Sequence, residues 1–216
     1  MIPGYFKIRD KCREGLLKYL AEAFSFVEEL EEPGILDIGC GSGVPSLWLA
    51  GNLSGYITAV DPDNNALNGL REKIRLKKLE NRVTVLNASF PEFNPGREVF
   101  DIILAEGFLN IVGFFRGFQG LIDMLRHGGY FVIHDEFAED DKKRDFINNN
   151  HCNLIGSVFL DEKIWWNDYY RQLEAEISKI RSDETRKLFM SDMKEIDFYR
   201  SDPASFKSIY YVVKKL

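Results

Sequence analysis

The chain has 216 residues, which at about 150 residues per domain points to one domain with additions. Hydrophobic residues make up 45% and charged residues 29%, which excludes a mainly disordered, collagen-like or disulfide-dense chain. Lysine and arginine total 28 against 34 aspartates and glutamates, and the resulting net charge of −6 argues against a general polyanion binder.

Leu16, Leu20, Ala23, Phe24, Val27 and Leu30 follow a 3/4 spacing, which predicts an amphipathic N-terminal helix over residues 10–31, stopped by Pro33-Gly34. Ile35 to Ile38 reads as a short buried strand entering a glycine-rich turn. A helix over 44–53 follows, with Pro45 tolerated in its first turn. Tyr56 to Val60 is a second strand ending at Asp61-Pro62, a charged helix covers 64–79, and Val83 to Leu86 is a third strand.

Phe100 to Leu104 is a fourth strand. Ile111, Phe114, Phe115, Phe118, Leu121, Ile122 and Leu125 mark the buried stripe of another helix, with His127-Gly128-Gly129 as its expected C-terminal stop. Tyr130 to His134 is a fifth strand. The alternation of strands and helices predicts βαβ units in a mainly parallel sheet. A short helix over 140–149, a strand over 154–160, helical residues 163–199 with a break near 181–183, and a closing strand over 208–213 complete the chain. The 163–199 segment reads as an insertion between the last two strands of a single domain spanning 1–216.

No long apolar core marks the N-terminus as a signal peptide, and no stretch approaches the roughly 18 apolar residues of a membrane span. Cys12, Cys40 and Cys152 are odd in number and far apart, without metal-ligand spacing. A cytoplasmic protein with small buried cysteines and no metal centre is expected.

The most informative segment is Asp37-Ile38-Gly39-Cys40-Gly41-Ser42-Gly43. Glycines at alternate positions after a first strand let the backbone turn sharply and approach a ligand at the carboxyl edge of the sheet. Asp61, at the end of the second strand, can accept both hydroxyls of an adenosine ribose. The turn is G-x-G-x-G, and Val44 stands where a dinucleotide fingerprint has its third glycine. Asp37 would oppose a pyrophosphate but suits an ammonium or sulfonium group. Spacing and charge thus favour a cationic adenosyl ligand without phosphate over NAD(P).

Asp37 to Gly43 resembles the signature of class I S-adenosylmethionine-dependent methyltransferases. The resemblance extends through Val60-Asp61, Phe100-Asp101-Ile102-Ile103 and Leu125 to Ile133. It implies an α/β fold: a three-layer αβα sandwich around a seven-stranded, mostly parallel sheet with an antiparallel last strand. It also implies that Gly39, Gly41 and Gly43 pass under the S-adenosylmethionine, that Asp37 helps hold its amino group, and that Asp61 takes the ribose hydroxyls. Many members carry an acid for the adenine after the third strand. Here Ser89 occupies the matching place, and Phe90 is a candidate to pack on the adenine. Pro62 and Ala105, beside the ends of the second and fourth strands, complete the candidate cofactor set.

Methyl transfer from a sulfonium is an in-line displacement that depends on holding the nucleophile aligned with the methyl group. Glu106 after the fourth strand and His134 after the fifth are the candidate catalytic groups. The Asn/Asp-Pro-Pro-aromatic motif of nucleobase and amide N-methyltransferases is absent. With the acidic balance, this leaves a small-molecule acceptor as the expectation and makes nucleic acid an unfavoured partner. Trp165, Trp166, Tyr169 and Tyr170 are candidates to line an apolar or cation-binding pocket, with packing onto the sheet as the alternative reading. Tyr5 and Phe6 are candidates to close over the cofactor. A non-catalytic adenosyl-binding module and an NAD(P)-dependent oxidoreductase are the competing functions.

Overall fold

The strands of the βαβ units pair side by side in one sheet. The computed structural model describes residues 3–216. Its strands are β1 (Gly34–Ile38), β2 (Tyr56–Asp61), β3 (Val83–Asn87), β4 (Phe100–Glu106), β5 (Leu125–Glu136), β6 (Cys152–Leu160) and β7 (Ser208–Lys215). They lie in the order β3-β2-β1-β4-β5-β7-β6. The pairs from β3 through β5 are parallel, and β7 runs antiparallel between β5 and β6. The expected seven-stranded sheet with an antiparallel last strand is therefore present.

Alternate residues of the central strands face opposite layers. Ile103, Phe131, Ile133 and Tyr211 join one buried cluster, while Ile102, Leu104, Val132 and Tyr210 join the other. Burial on both faces explains why these strands read as unbroken apolar runs. The helices that cover the faces are α1 (Pro3–Arg13), α2 (Leu17–Phe24), α3 (Val44–Asn52), α4 (Asn64–Lys77), α5 (Leu109–Val112), α6 (Phe114–Ile122) and α7 (Asp140–Asn148). Between β6 and β7 lie α8 (Glu162–Trp165), a π-helical turn (Trp166–Tyr170), α9 (Arg171–Ser178), α10 (Asp183–Lys187) and α11 (Met190–Ser201).

Two expectations need correction. The N-terminal helix is not continuous over 10–31: α1 begins within the first residues, a 3-10 turn at Glu14–Leu16 separates it from α2, and helix ends at Phe24. Gly15 explains the break, because a Cβ there would stand 2.2 Å from the Asp168 carbonyl oxygen, so the turn packs directly on the inserted helices. The second correction concerns residues 111–129. Gly113, at φ 89°, splits the helix into α5 and α6, which ends at Ile122. The Gly128-Gly129 pair does not cap it but lies within β5. Gly128 sits at φ 76°, a conformation that only glycine adopts freely, where the strand kinks.

Cys12, Leu16, Tyr169, Tyr170, Leu173, Ile177, Phe189, Ile196 and Tyr199 form a third buried cluster. The N-terminal helix and the insertion thus share one small core and act as a single helical cap. Tyr19 Oη and Lys18 Nζ both bond Asp168 Oδ2, at 2.7 and 3.0 Å, and fasten the two together. All three cysteines are buried and free. Among the described residues, no helix is long and apolar enough to cross a membrane.

Candidate active site

The site forms at the carboxyl edge of β1, β2 and β4, where the glycine turn leaves the sheet. Gly39 and Cys40 donate backbone N–H bonds to the Val60 carbonyl, at 2.8 and 3.1 Å, which pins the turn to the end of β2. Gly43 lies at φ 84°, and a Cβ there would come within 2.3 Å of Leu70 Cδ1, so both backbone and packing require glycine. Gly41 differs: a Cβ there would meet nothing within 4 Å. It faces the open space that a ligand would occupy.

Asp61 holds this turn from the side. Its Oδ2 accepts the Gly41 N–H at 2.9 Å and its Oδ1 accepts the Asp63 N–H at 2.7 Å. Each oxygen retains a further acceptor position for a hydroxyl. Asp63, not Asp61, caps α4, accepting from the Asn65 and Ala66 N–H groups. The cap reading of Asp61 is therefore unnecessary.

A cavity of about 270 Å³ is lined by the turn from Gly39 to Pro45, by Asp37, Asp61, Asp63, Glu106 and Gly107, and by Phe6, Arg9, Asp10 and Arg13 of α1. Five carboxylates (Asp10, Asp37, Asp61, Asp63, Glu106) face two guanidiniums there, which suits a ligand of net positive charge. Asp37 is 1% exposed, and burial pushes its carboxyl up to about 7, although the Ser46 hydroxyl donates to it and opposes the rise. A cationic group placed against Asp37 would restore the charged form. The open face of Gly41 and this buried, destabilised carboxylate both fit S-adenosylmethionine.

Helix α1 supplies residues that motif reasoning missed. The Ser42 hydroxyl bonds Asp10, whose Oδ2 also takes Lys73 Nζ at 2.6 Å, so the helix is bolted to the glycine turn. Arg13 pairs with Glu106 Oε1, while Tyr210 Oη donates to Glu106 Oε2 at 3.1 Å. Burial opposes the Arg13 charge, but the Glu106 carboxylate together with Tyr169 and Tyr210 raises the guanidinium pKa overall. Arg9 Nε lies 2.9 Å from Asp192 Oδ1, tying α1 to the insertion. The one sequence signal for this wall was the 3/4 spacing of Phe6, Asp10 and Arg13 on one helical face. Phe6 does reach the cavity, whereas Tyr5 donates to Asp192 Oδ2 at 3.1 Å and packs on Phe189.

Pro62, Ser89, Phe90 and Ala105 are not among the residues that line this cavity. Phe90 instead meets Phe108 edge-on at 5.7 Å and packs against the apolar core. Ala105 is fully buried in β4.

His134 lines a second cavity, of about 450 Å³, which meets the first at Arg13 and Gly107. The ring is buried and stacks on Tyr210 at 4.4 Å. Burial pushes its pKa down to about 4, against the pull of Glu106, so it is neutral at pH 7. Trp165 Nε1 donates to Ser208 Oγ at 3.1 Å, and Ser208 Oγ lies 3.0 Å from His134 Nε2. The indole N–H occupies one lone pair of the serine oxygen, and the direction of the Ser208–His134 bond follows the imidazole tautomer. The four aromatics of the insertion divide. Trp165 and Tyr170 line the second cavity, whereas Trp166 stacks on Tyr199 and Tyr169 is buried in the helical cap.

Comparison with known proteins agrees with this geometry. A family model described as a methyltransferase domain matches residues 35–129. The methyltransferase GfsG of Streptomyces halstedii is 29% identical over 102 residues, covering 47% of this chain and 37% of that protein. Protein arginine N-methyltransferase 1 of Saccharomyces cerevisiae is 22% identical over 138 residues, covering 63% of this chain and 37% of that protein. The chain thus aligns with well under half the length of these relatives. Among solved structures, the [4+2]-cyclase SpnF superposes with a TM-score of 0.75 at 15% identity, covering 94% of this chain and 81% of that one. An S-adenosylmethionine-dependent methyltransferase from Geobacter sulfurreducens, solved with S-adenosylhomocysteine, gives 0.70 at 16% identity, covering 94% and 91%. A methyltransferase domain model thus matches residues 35–129, and the sheet order around the G-x-G-x-G turn is similar in fold to solved structures that include S-adenosylmethionine-dependent methyltransferases.

Proposed function

We propose that the protein transfers a methyl group from S-adenosylmethionine to a small-molecule acceptor by in-line displacement. The observation that carries this reading is the pair of adjoining cavities that share Arg13 and Gly107. One has the glycine turn and acids suited to the cofactor. The other is large enough for a small acceptor and opens where the fourth and fifth strands end.

In this reading Asp37 takes the cofactor's ammonium, Asp61 its ribose hydroxyls, and Gly39, Gly41 and Gly43 allow its close approach. Ser89 and Phe90 remain the candidates for the adenine end, with Pro62 and Ala105 supporting the ends of their strands. Arg9 and Arg13 are the guanidiniums within reach of the methionyl carboxylate. When bound, the cofactor supplies an electrophilic methyl group and a neutral thioether leaving group. The chain's own task is to align the nucleophile with that methyl and exclude water. Glu106, held between Arg13 and Tyr210, acts as a fixed negative charge near the sulfonium. His134, neutral and fixed by Ser208, offers a polar ring to the acceptor.

A structural neighbour named as a [4+2]-cyclase means that the fold alone does not decide for methyl transfer. The test is transfer of radiolabelled methyl from S-adenosylmethionine into a pooled extract of small metabolites, run beside protein and tRNA fractions. Label in the metabolite pool supports the reading. Label only in protein or RNA contradicts the acceptor class, and cofactor binding without any transfer favours a non-catalytic module.

A further inference from the structure

The second cavity has a distinct chemical character. Four aromatic side chains bound it: Trp165, Tyr170, Phe198 and Phe206. They form a connected set. Trp165 stacks with Tyr170 at 5.9 Å, Phe206 meets Tyr170 edge-on at 5.7 Å, and Phe198 lies 5.5 Å from Phe206. Asp135, Glu136 and Glu195 stand in the same wall.

The cations there are already matched. Arg13 is paired with Glu106, and Lys207 Nζ lies 3.9 Å from Glu162 Oε2. His134 is neutral at pH 7. On the acidic side, Asp135 Oδ2 takes Lys143 Nζ at 2.6 Å, but its buried Oδ1 has no hydrogen-bond partner among the described residues. Among the described residues, Glu195 Oε1 is bonded only by a neutral phenol, the Tyr170 hydroxyl, at 2.8 Å. The cavity therefore combines π faces with an excess of negative charge, and both attract an organic cation. A carboxylate-bearing or phosphorylated acceptor would meet repulsion instead.

We propose that this cavity selects an acceptor carrying a protonated amine, and that the amine nitrogen is the atom methylated. The inference rests on the cofactor site described above. The bound ammonium first releases a proton to water at the open mouth beside Glu136 and Glu195. The freed nitrogen lone pair then forms the N–C bond to the methyl group. The S–C bond breaks with its electron pair going to sulfur, giving neutral S-adenosylhomocysteine and an N-methylated ammonium. The product cation stays matched to the acidic wall, and turnover rises with pH as the free amine becomes available.

The test uses the full chain saturated with S-adenosylhomocysteine and titrated by calorimetry with benzyltrimethylammonium, benzyl alcohol and benzoate. The cation should bind at least tenfold more tightly than either of the others. Glu195→Gln, and the double variant Glu136→Gln/Glu195→Gln, should remove fivefold or more of that preference while leaving the melting temperature and S-adenosylhomocysteine affinity unchanged. In turnover with S-adenosylmethionine, benzylamine should be methylated in preference to benzyl alcohol. Equal or tighter binding of benzoate or benzyl alcohol, failure of the cation to bind while S-adenosylhomocysteine binds, or an unchanged preference in the double variant would overturn the inference. Loss of S-adenosylhomocysteine binding in the unmodified protein would instead overturn the cofactor reading on which it rests.

Discussion

Replacing Asp37 by Asn should move stability and cofactor affinity in opposite directions. The carboxyl is buried, and its pKa rises from the usual 3.8 to about 7. That rise corresponds to roughly 4 kcal/mol of discrimination against the charged form. The folded protein holds this proton more tightly than the unfolded chain. Stability is therefore lost as pH climbs from about 4 to 7, and the full cost is present above 7. The isosteric amide has no charge to bury and still accepts from the Ser46 hydroxyl. With partial compensation, the variant should gain roughly 1–3 kcal/mol at pH 8, or about 3–10 °C in melting temperature for a chain of this size. At pH 4 the gain should vanish.

Cofactor binding runs the other way. The amide forfeits a charge-assisted bond to the ammonium, worth about 1.5–3 kcal/mol, so affinity should fall roughly 10- to 150-fold. In the unmodified protein, affinity should weaken by up to tenfold for each pH unit below about 7, because a proton must leave Asp37 on binding. The Asn variant should lack that dependence. Thermal unfolding and calorimetry at pH 5, 6, 7 and 8 measure both effects. A variant less stable than the parent at pH 8, or one that binds S-adenosylhomocysteine equally well, would refute the reasoning.

Other substitutions probe other parts of the site. Asp61→Ala should weaken S-adenosylhomocysteine binding by roughly 1–3 kcal/mol in calorimetry, since ribose hydroxyls and the Gly41 N–H lose an acceptor. Gly43→Ala should cost about 2 kcal/mol or more in denaturant unfolding, because a methyl cannot fit against Leu70 at φ 84°. His134 should show no titration between pH 5.5 and 8 by NMR. Its depressed pKa of about 4 contributes stability that is present above the unfolded value of 6.5 and is lost as pH falls toward 4. A His134 titration near 6.5 in the folded protein would contradict the buried, neutral ring.

Strands β1, β4 and the second half of β5 are legible because burial on both faces writes a near-unbroken apolar run, and because a glycine turn after β1 has few structural alternatives. The N-terminal helix reads as continuous because its apolar spacing runs through the 3-10 turn at Glu14–Leu16 and on past the end of α2 to Val27 and Leu30. What breaks it is contact between Gly15 and Asp168, which are 153 positions apart in the chain. Separations of 93 and 104 positions likewise hid Arg13 and Tyr210 as the partners of Glu106. Glu106 and His134 could be placed from strand ends alone. That one is held by a guanidinium and a phenol, and the other by a Trp165–Ser208 relay, depends on residues from three separate segments. The aromatic run at 165–170 was visible as a feature. Which of them border the cavity depends on contacts with Tyr199, Phe206 and Ser208, which lie 29 or more positions further along the chain.

The cofactor assignment is tested most directly by calorimetric titration of the unmodified protein with S-adenosylhomocysteine, beside NAD under the same conditions. The account predicts one S-adenosylhomocysteine bound per chain, with affinity that strengthens from pH 6 to pH 8, and no binding of NAD. Binding of NAD without S-adenosylhomocysteine would contradict it.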